Sequence, residues 1–172
     1  MIPSEPDLSI VIVNYNVKEY IASLILSIRQ AEYTGKVDVI IVDNASSDGS
    51  QEFLTSRFPD VTFIANSENV GFAKANNQAI RQVRTPYTLI LNPDTLVRPD
   101  TLRVMVEYMV ENPDVGAAGC KILNPDGTFA PESKRAIPTP KTALYAIIGL
   151  SRLFPKSRRF AGYHLGWIHP DH

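Results

Sequence analysis

The chain has too little cysteine for a disulfide framework. Cys120 stands alone among 172 residues, so packing must hold the fold, as expected of a protein in a reducing compartment such as the cytoplasm. No apolar run reaches the roughly 20 residues a spanning helix needs, and the acidic, proline-containing start from Met1 to Leu8 is unlike a secretory signal. Gly-x-Gly-x-x-Gly, Gly-x-x-x-x-Gly-Lys-Ser/Thr and Gly-x-Ser-x-Gly are all missing, which removes the dinucleotide-fingerprint, P-loop and nucleophile-elbow readings. His164, His169 and His172 crowd the end of the chain and match no zinc-ligand spacing.

What is present is an ordinary core composition, 44% hydrophobic with 20% charged residues, enough for one globular domain. The net charge of -1 conceals an asymmetry: residues 1–131 hold 10 Lys and Arg against 16 Asp and Glu, and residues 132–172 hold 7 against 2. An acidic body argues against a nucleic-acid partner. The basic tail is suited to phosphates, to an anionic membrane surface or simply to solvent.

Hydrophobic patterning alternates between two periods. Leu8–Asn14 is short, apolar and β-branched, and Asn16 stands where an N-cap is expected before Ile21, Leu24, Ile25 and Ile28. Val37–Val42 repeats the strand pattern, Ser46–Ser50 reads as a turn, and Gln51–Phe58 as a short helix. Val61–Ala65 is a third strand. A helix follows Gly71 to about Val83, Thr85-Pro86 breaks it, and Tyr87–Leu91 is a fourth strand. Pro99 opens a helix to about Glu111, Val115–Ile122 reads as a fifth strand, and Asn124-Pro-Asp-Gly127 is a tight turn into Thr128-Phe129.

This order predicts an α/β fold, a Rossmann-type, mostly parallel sheet with helices on both faces, over residues 1–130. Residues 131–172 form a Pro-rich, basic, amphipathic extension. Within it Thr142–Phe154 has the apolar spacing of an amphipathic helix, weakened by Gly149 and followed by Lys156, Arg158 and Arg159, a combination suited to peripheral membrane contact or to packing.

Four polar clusters follow strands: Asn14-Tyr15-Asn16, Asp43 to Asp48, Asn69 to Asn77 with Lys74, and Asn92-Pro93-Asp94. Taken singly, each is an ordinary turn or cap. Gathered at the carboxyl edge of one parallel sheet, they would form a single polar crevice, the usual ligand position in such folds. Asp43 is suited to accepting hydrogen bonds from a base or ribose. Asp94 is suited to sharing a Mg²⁺ or Mn²⁺ ion with a diphosphate.

Together, Ser9-Ile-Val-Ile-Val-Asn-Tyr-Asn16, Val42-Asp-Asn-Ala-Ser-Ser-Asp-Gly49, Asn69-Val-Gly-Phe-Ala-Lys-Ala-Asn-Asn77 and Leu91-Asn-Pro-Asp-Thr95 resemble the ordered motifs of family 2 glycosyltransferases. The resemblance covers about residues 8–130 and is strongest to the rhamnosyltransferase-like branch, in which Asn-Pro-Asp replaces the usual Asp-x-Asp. It implies a GT-A fold and inverting transfer from a nucleotide-activated sugar, a dTDP- or UDP-sugar, to a saccharide or lipid-linked acceptor.

Residue by residue, the resemblance implies that Asn14, Tyr15 and Asn16 line the nucleotide site, that Asp43 contacts the base, and that Lys74 and Asn77 flank nucleotide and phosphates. Asp94 would hold the divalent metal, and Asn92 would hydrogen-bond a ribose or sugar hydroxyl. The catalytic base of this family, an Asp or Glu, is expected beyond His172. Asp171 is the only late carboxylate here and has no matching motif around it. A non-catalytic nucleotide-sugar-binding module is the alternative. A nucleotidyltransferase is disfavoured because Asn14 to Lys18 lacks the glycines of a triphosphate loop.

Overall fold

A computed structural model describes residues 7–130, 136–163, 165 and 167; His164, His169, Asp171 and His172 therefore lie outside the described residues. The elements run β1 (Leu8–Asn14), α1 (Lys18–Arg29), β2 (Val37–Asp43), α2 (Ser50–Arg57), β3 (Thr62–Ala65), α3 (Phe72–Ile80), β4 (Tyr87–Leu91) and α4 (Thr101–Glu111), then α5 (Pro140–Ile147) and α6 (Leu150–Leu153). The strands form one sheet in the order β3-β2-β1-β4, and every pairing is parallel. The chain divides into two compact units, Met1–Gly116 and Ala117–His172.

In the first unit β1 is central and buried along its whole length, which is why its sequence is a continuous apolar run rather than an alternation. Leu8, Ile10 and Ile12 face one layer with Ile21, Leu24 and Ile25 of α1, Leu54 of α2 and Leu102 and Val106 of α4. Val11 and Val13 face the other, where α3 lays Ala75 and Ala79 against the sheet. Helices thus cover both faces, as the patterning predicts. Register pairs Asn14 with Asp43 and Asp43 with Ala65, while Ile12 pairs with Leu91; all four strands therefore end at one edge.

The second unit is built differently. The strand expected over Val115–Ile122 does not form; the segment is mostly exposed, and the pairing beyond it is a single antiparallel bridge between Leu123 and Phe129. Gly116, Ala117, Ala118 and Gly119 have low strand propensity and little side chain to pack, which outweighs the apolar character of the run. The turn at 124–127 is present, with Gly127 at φ 81° and Asp126 Oδ1 accepting from Thr128 N at 2.9 Å and Thr128 Oγ1 at 2.6 Å.

The single helix expected over Thr142–Phe154 is two helices, because Gly149 takes φ 79° at the start of α6. α5 opens with a Thr139/Thr142 capping box and Pro140 in its first turn. Tyr145 meets Phe160 edge-on at 5.2 Å, and Phe154 lies 5.5 Å from the same ring.

Candidate functional site

The end of β1 and the loop after β2 form one hydrogen-bonded corner. Asn14 is fully buried, and its Nδ2 donates to Asp43 Oδ1 at 2.5 Å and to Ser46 Oγ at 3.1 Å. Ser46 in turn donates from N to Asp43 Oδ2 at 3.0 Å and from Oγ to Asp43 Oδ1 at 2.6 Å. Asp43, 4% exposed, thus receives three internal hydrogen bonds on its carboxylate, and burial of its charge is offset by donors aimed at both oxygens. Asn14 Oδ1 has no hydrogen-bond partner among the described residues.

Asn16 does not cap α1. It takes φ 58°, a left-handed conformation that Asn tolerates better than most residues, and its Oδ1 turns across the edge to accept from Ser47 N at 2.7 Å and Ser47 Oγ at 3.3 Å. Val17 occupies the N-cap position, with no side-chain cap. Lys18 closes the corner from the other side: its Nζ donates to the Asp48 carbonyl at 2.5 Å, 5.6 Å from the Phe53 ring centre, and its backbone N–H donates to Asp48 Oδ2 at 3.3 Å.

Asp48 Oδ1 accepts from Ser50 N at 3.0 Å and from Ser50 Oγ, so Asp48 serves the start of α2. Partial burial opposes its ionisation, yet the hydrogen bonds from the Ser50 side chain and from the Lys18 and Ser50 backbones, with the Lys18 charge, hold the carboxyl below its ordinary value.

Tyr15, between the two buttressed asparagines, is 51% exposed. The loop after β3 carries an Asx turn, with Asn69 Oδ1 accepting from Gly71 N at 3.0 Å. Gly71 then enters α3 at φ 85°, ψ 158°, a region essentially closed to side-chain-bearing residues. Lys74 and Asn77 follow on α3, both exposed. After β4, Thr95 donates from N (3.3 Å) and from Oγ1 (2.7 Å) to the Asn92 carbonyl, closing a turn around Pro93. Asn92 and Asp94 stand exposed on this turn.

The structure therefore sets Asn14, Asn16 and Asp43 in one bonded corner with Tyr15 beside them, Asn92 and Asp94 on the turn after β4, and Lys74 and Asn77 on α3. Sequence reading missed Asn66 and Gln78, whose amides bond to each other and to Asn44. Asn66 is the polar residue following β3, so its place at a strand end was the available signal. Among the described residues no three His, Cys, Asp or Glu gather as a metal cage, and no helix is long and apolar enough to cross a membrane.

Comparison with known proteins places the chain in a family. The model of the family described as "Glycosyl transferase family 2" matches residues 9–168. The chain belongs to glycosyl transferase family 2. Similar family members include an N-acetylglucosaminyl-diphospho-decaprenol L-rhamnosyltransferase of Mycobacterium tuberculosis, 25% identical over 157 residues, covering 83% of this chain and 50% of that protein. The low-salt glycan biosynthesis hexosyltransferase Agl10 of Haloferax volcanii is 30% identical over 154 residues, covering 87% and 46%. This family 2 chain thus spans about half the length of these curated relatives.

Among solved structures, the mannosyltransferase PcManGT of Pyrobaculum calidifontis, in complex with GDP-Man and Mn²⁺, superposes with a TM-score of 0.62 at 28% identity, over 72% of this chain and 39% of that one. S. aureus TarS in complex with UDP shares the fold at a TM-score of 0.57 and 21% identity, over 62% and 33%. The fold is that of the GT-A glycosyltransferases.

Proposed function

We propose that this family 2 chain binds a nucleotide-diphosphate sugar, dTDP- or UDP-linked, at the carboxyl edge of its sheet and donates the sugar to a saccharide or lipid-linked saccharide acceptor with inversion. The observation that carries the reading is the contrast along that edge: a buried corner with its hydrogen bonds already made, and an exposed Asp94 carboxylate with no side-chain partner among the described residues. In this reading Tyr15 offers an exposed ring to the base and Asn14 and Asn16 hold the wall beside it. Asp43 Oδ2 keeps a lone pair for a base N–H. Lys74 and Asn77 flank the phosphates, and Asn92 takes a ribose or sugar hydroxyl.

The donor set suits a divalent ion shared with a ligand. Mg²⁺ is commonly held by one or two carboxylates completed by substrate phosphates; Asp94 supplies one carboxylate and Asn92, two positions earlier, an amide oxygen. When bound, Mg²⁺ or Mn²⁺ neutralises charge on the departing diphosphate. Lys74 adds fixed positive charge for the same leaving group. The acceptor hydroxyl attacks the anomeric carbon as the bond to the diphosphate breaks, and its proton passes to a carboxylate base.

Leu144, Ile147, Ile148, Leu153 and Phe154 are exposed on α5, α6 and the residues after them, and with Arg152, Lys156, Arg158 and Arg159 nearby in sequence they support contact with an anionic membrane presenting a lipid-linked acceptor.

The test is calorimetric titration of UDP and dTDP into the chain with and without Mn²⁺, repeated on Asp94→Ala. Metal-dependent binding that the variant loses is the expected result, and the preferred nucleotide narrows the donor. Binding of neither nucleotide to folded protein overturns the reading. Mn²⁺ alone is expected to bind weakly, because Asp94 and Asn92 would supply only part of its ligands and the diphosphate would supply others.

A further inference from the structure

Asn66, directly after β3, is bonded in three directions. Its Nδ2 donates to Gln78 Oε1 at 2.9 Å and to Asn44 Oδ1 at 3.0 Å, and its Oδ1 accepts from Gln78 Nε2 at 3.0 Å. Its backbone N–H donates to the Asp43 carbonyl at 2.9 Å, and Asn44 N–H donates to the Asn14 carbonyl at 2.9 Å. A reciprocal amide pair thus fastens the second turn of α3 to the ends of β1, β2 and β3. It also closes the base of the loop 67–71.

Holding α3 on the sheet does not require this clasp. Ala75 and Ala79, both fully buried, already pack the helix against Val11, Val13, Ile40 and Val42. Two alanines present a smooth surface, however. They allow close approach without the interlocking of larger side chains that sets where along its axis a helix stops. Directional hydrogen bonds at Gln78 supply that missing register.

Lys74 lies four residues before Gln78, on the same helix face and about 6 Å further along the axis, on the side of α3 that follows the carboxyl edge. The height of Lys74 above that edge therefore follows from the clasp. We propose that Asn66 and Gln78 are positioning residues that set Lys74 for the donor's diphosphate; this rests on the reading of Lys74 given above.

The experiment is a double-mutant cycle on UDP or dTDP binding, whichever the chain prefers, by calorimetry in Mn²⁺. Gln78→Leu keeps a helix-compatible apolar side chain of slightly shorter reach and removes both bonds. It is expected to weaken diphosphate binding about tenfold, to leave binding of the free nucleoside unchanged, and to add nothing in the Lys74→Ala background. Asn66→Asp, which replaces the donating amide with an acceptor of the same size, serves as the second variant and is expected to behave alike. Exchanging the pair as Asn66→Gln with Gln78→Asn is expected to recover part of the loss.

If Lys74→Ala weakens binding while Gln78→Leu and Asn66→Asp bind as wild type, or if their effects add fully to that of Lys74→Ala, the positioning role is overturned and the donor site stands. If Lys74→Ala itself binds the diphosphate unchanged, the reading of Lys74 fails, and the clasp's role fails with it.

Discussion

The two corners of the sheet edge hold aspartates of opposite character. At the β1/β2 corner Asp43 is buried under three hydrogen bonds from Asn14 and Ser46; after β4, Asp94 stands exposed on a turn closed by backbone and Thr95 contacts rather than by its own carboxylate. The first is part of the architecture and reaches a ligand only with what the fold leaves over. The second contributes nothing evident to the fold, so its chemistry is available in full. A carboxylate's place at a strand end says little until its internal partners have been counted.

The comparison can be broken first at Asp43. Asp43→Ala strands buried donors on Asn14 and Ser46 and is expected to cost about 2–4 kcal/mol of stability, measured by urea denaturation. Ser46→Ala removes one hydroxyl shared between Asn14, Asp43 and the Asn16 N–H and is expected to cost about 1–2 kcal/mol by the same measurement.

Asp48 sharpens the comparison through pH. Its carboxyl is held below the ordinary 3.8 in the folded chain, so the folded state favours the ionised form. The stability it contributes is fully present above that ordinary value and disappears as pH falls through the lower folded one. Wild type is therefore expected to exceed Asp48→Asn in stability at neutral pH, with the gap closing below about pH 4; a constant gap from pH 7 to 3 would contradict the assignment. The smallest effect on stability belongs to Asp94→Ala, expected within about 0.5 kcal/mol of wild type, although under the proposed function the same variant is expected to lose metal-dependent nucleotide binding. A large loss of stability in this variant would erase the distinction between the corners.

Much of this organisation is legible in the sequence. The β-branched runs at Leu8–Asn14 and Val37–Val42 and the apolar spacing of Ile21, Leu24, Ile25 and Ile28 specify strand and helix by period alone, and alternation then dictates a parallel sheet. The polar edge follows because every cluster comes after a strand. The Asn14–Asp43–Ser46 triangle and the Asn16–Ser47 contact are less accessible, since they join residues about 30 positions apart and leave no local pattern. Asn16 shows the difficulty: its place before an amphipathic run is that of a cap, yet a left-handed backbone turns the side chain to another loop. Val115–Ile122 fails for the opposite reason, with apolar content suggesting a strand where glycine and alanine give little to pair. Asn66 and Gln78 lie only 12 residues apart, but their bonding needs α3 folded back over the strand ends.

The strand order also carries a kinetic consequence. β1 pairs with β2 at Leu8↔Val37 and β2 with β3 at Ile40↔Thr62, but β1 reaches β4 only at Leu8↔Tyr87, across much the longest stretch of chain. Closing that loop costs the most entropy, and the pairing has only one neighbouring strand to reward it. β4 is thus the strand expected to join last and to open first. The turn bearing Asp94 directly follows β4, so it keeps its place at the sheet edge through the docking of that strand; under the proposed function a donor gripping both corners would hold the sheet shut, and slowed amide exchange at Leu89 and Leu91 would report its arrival.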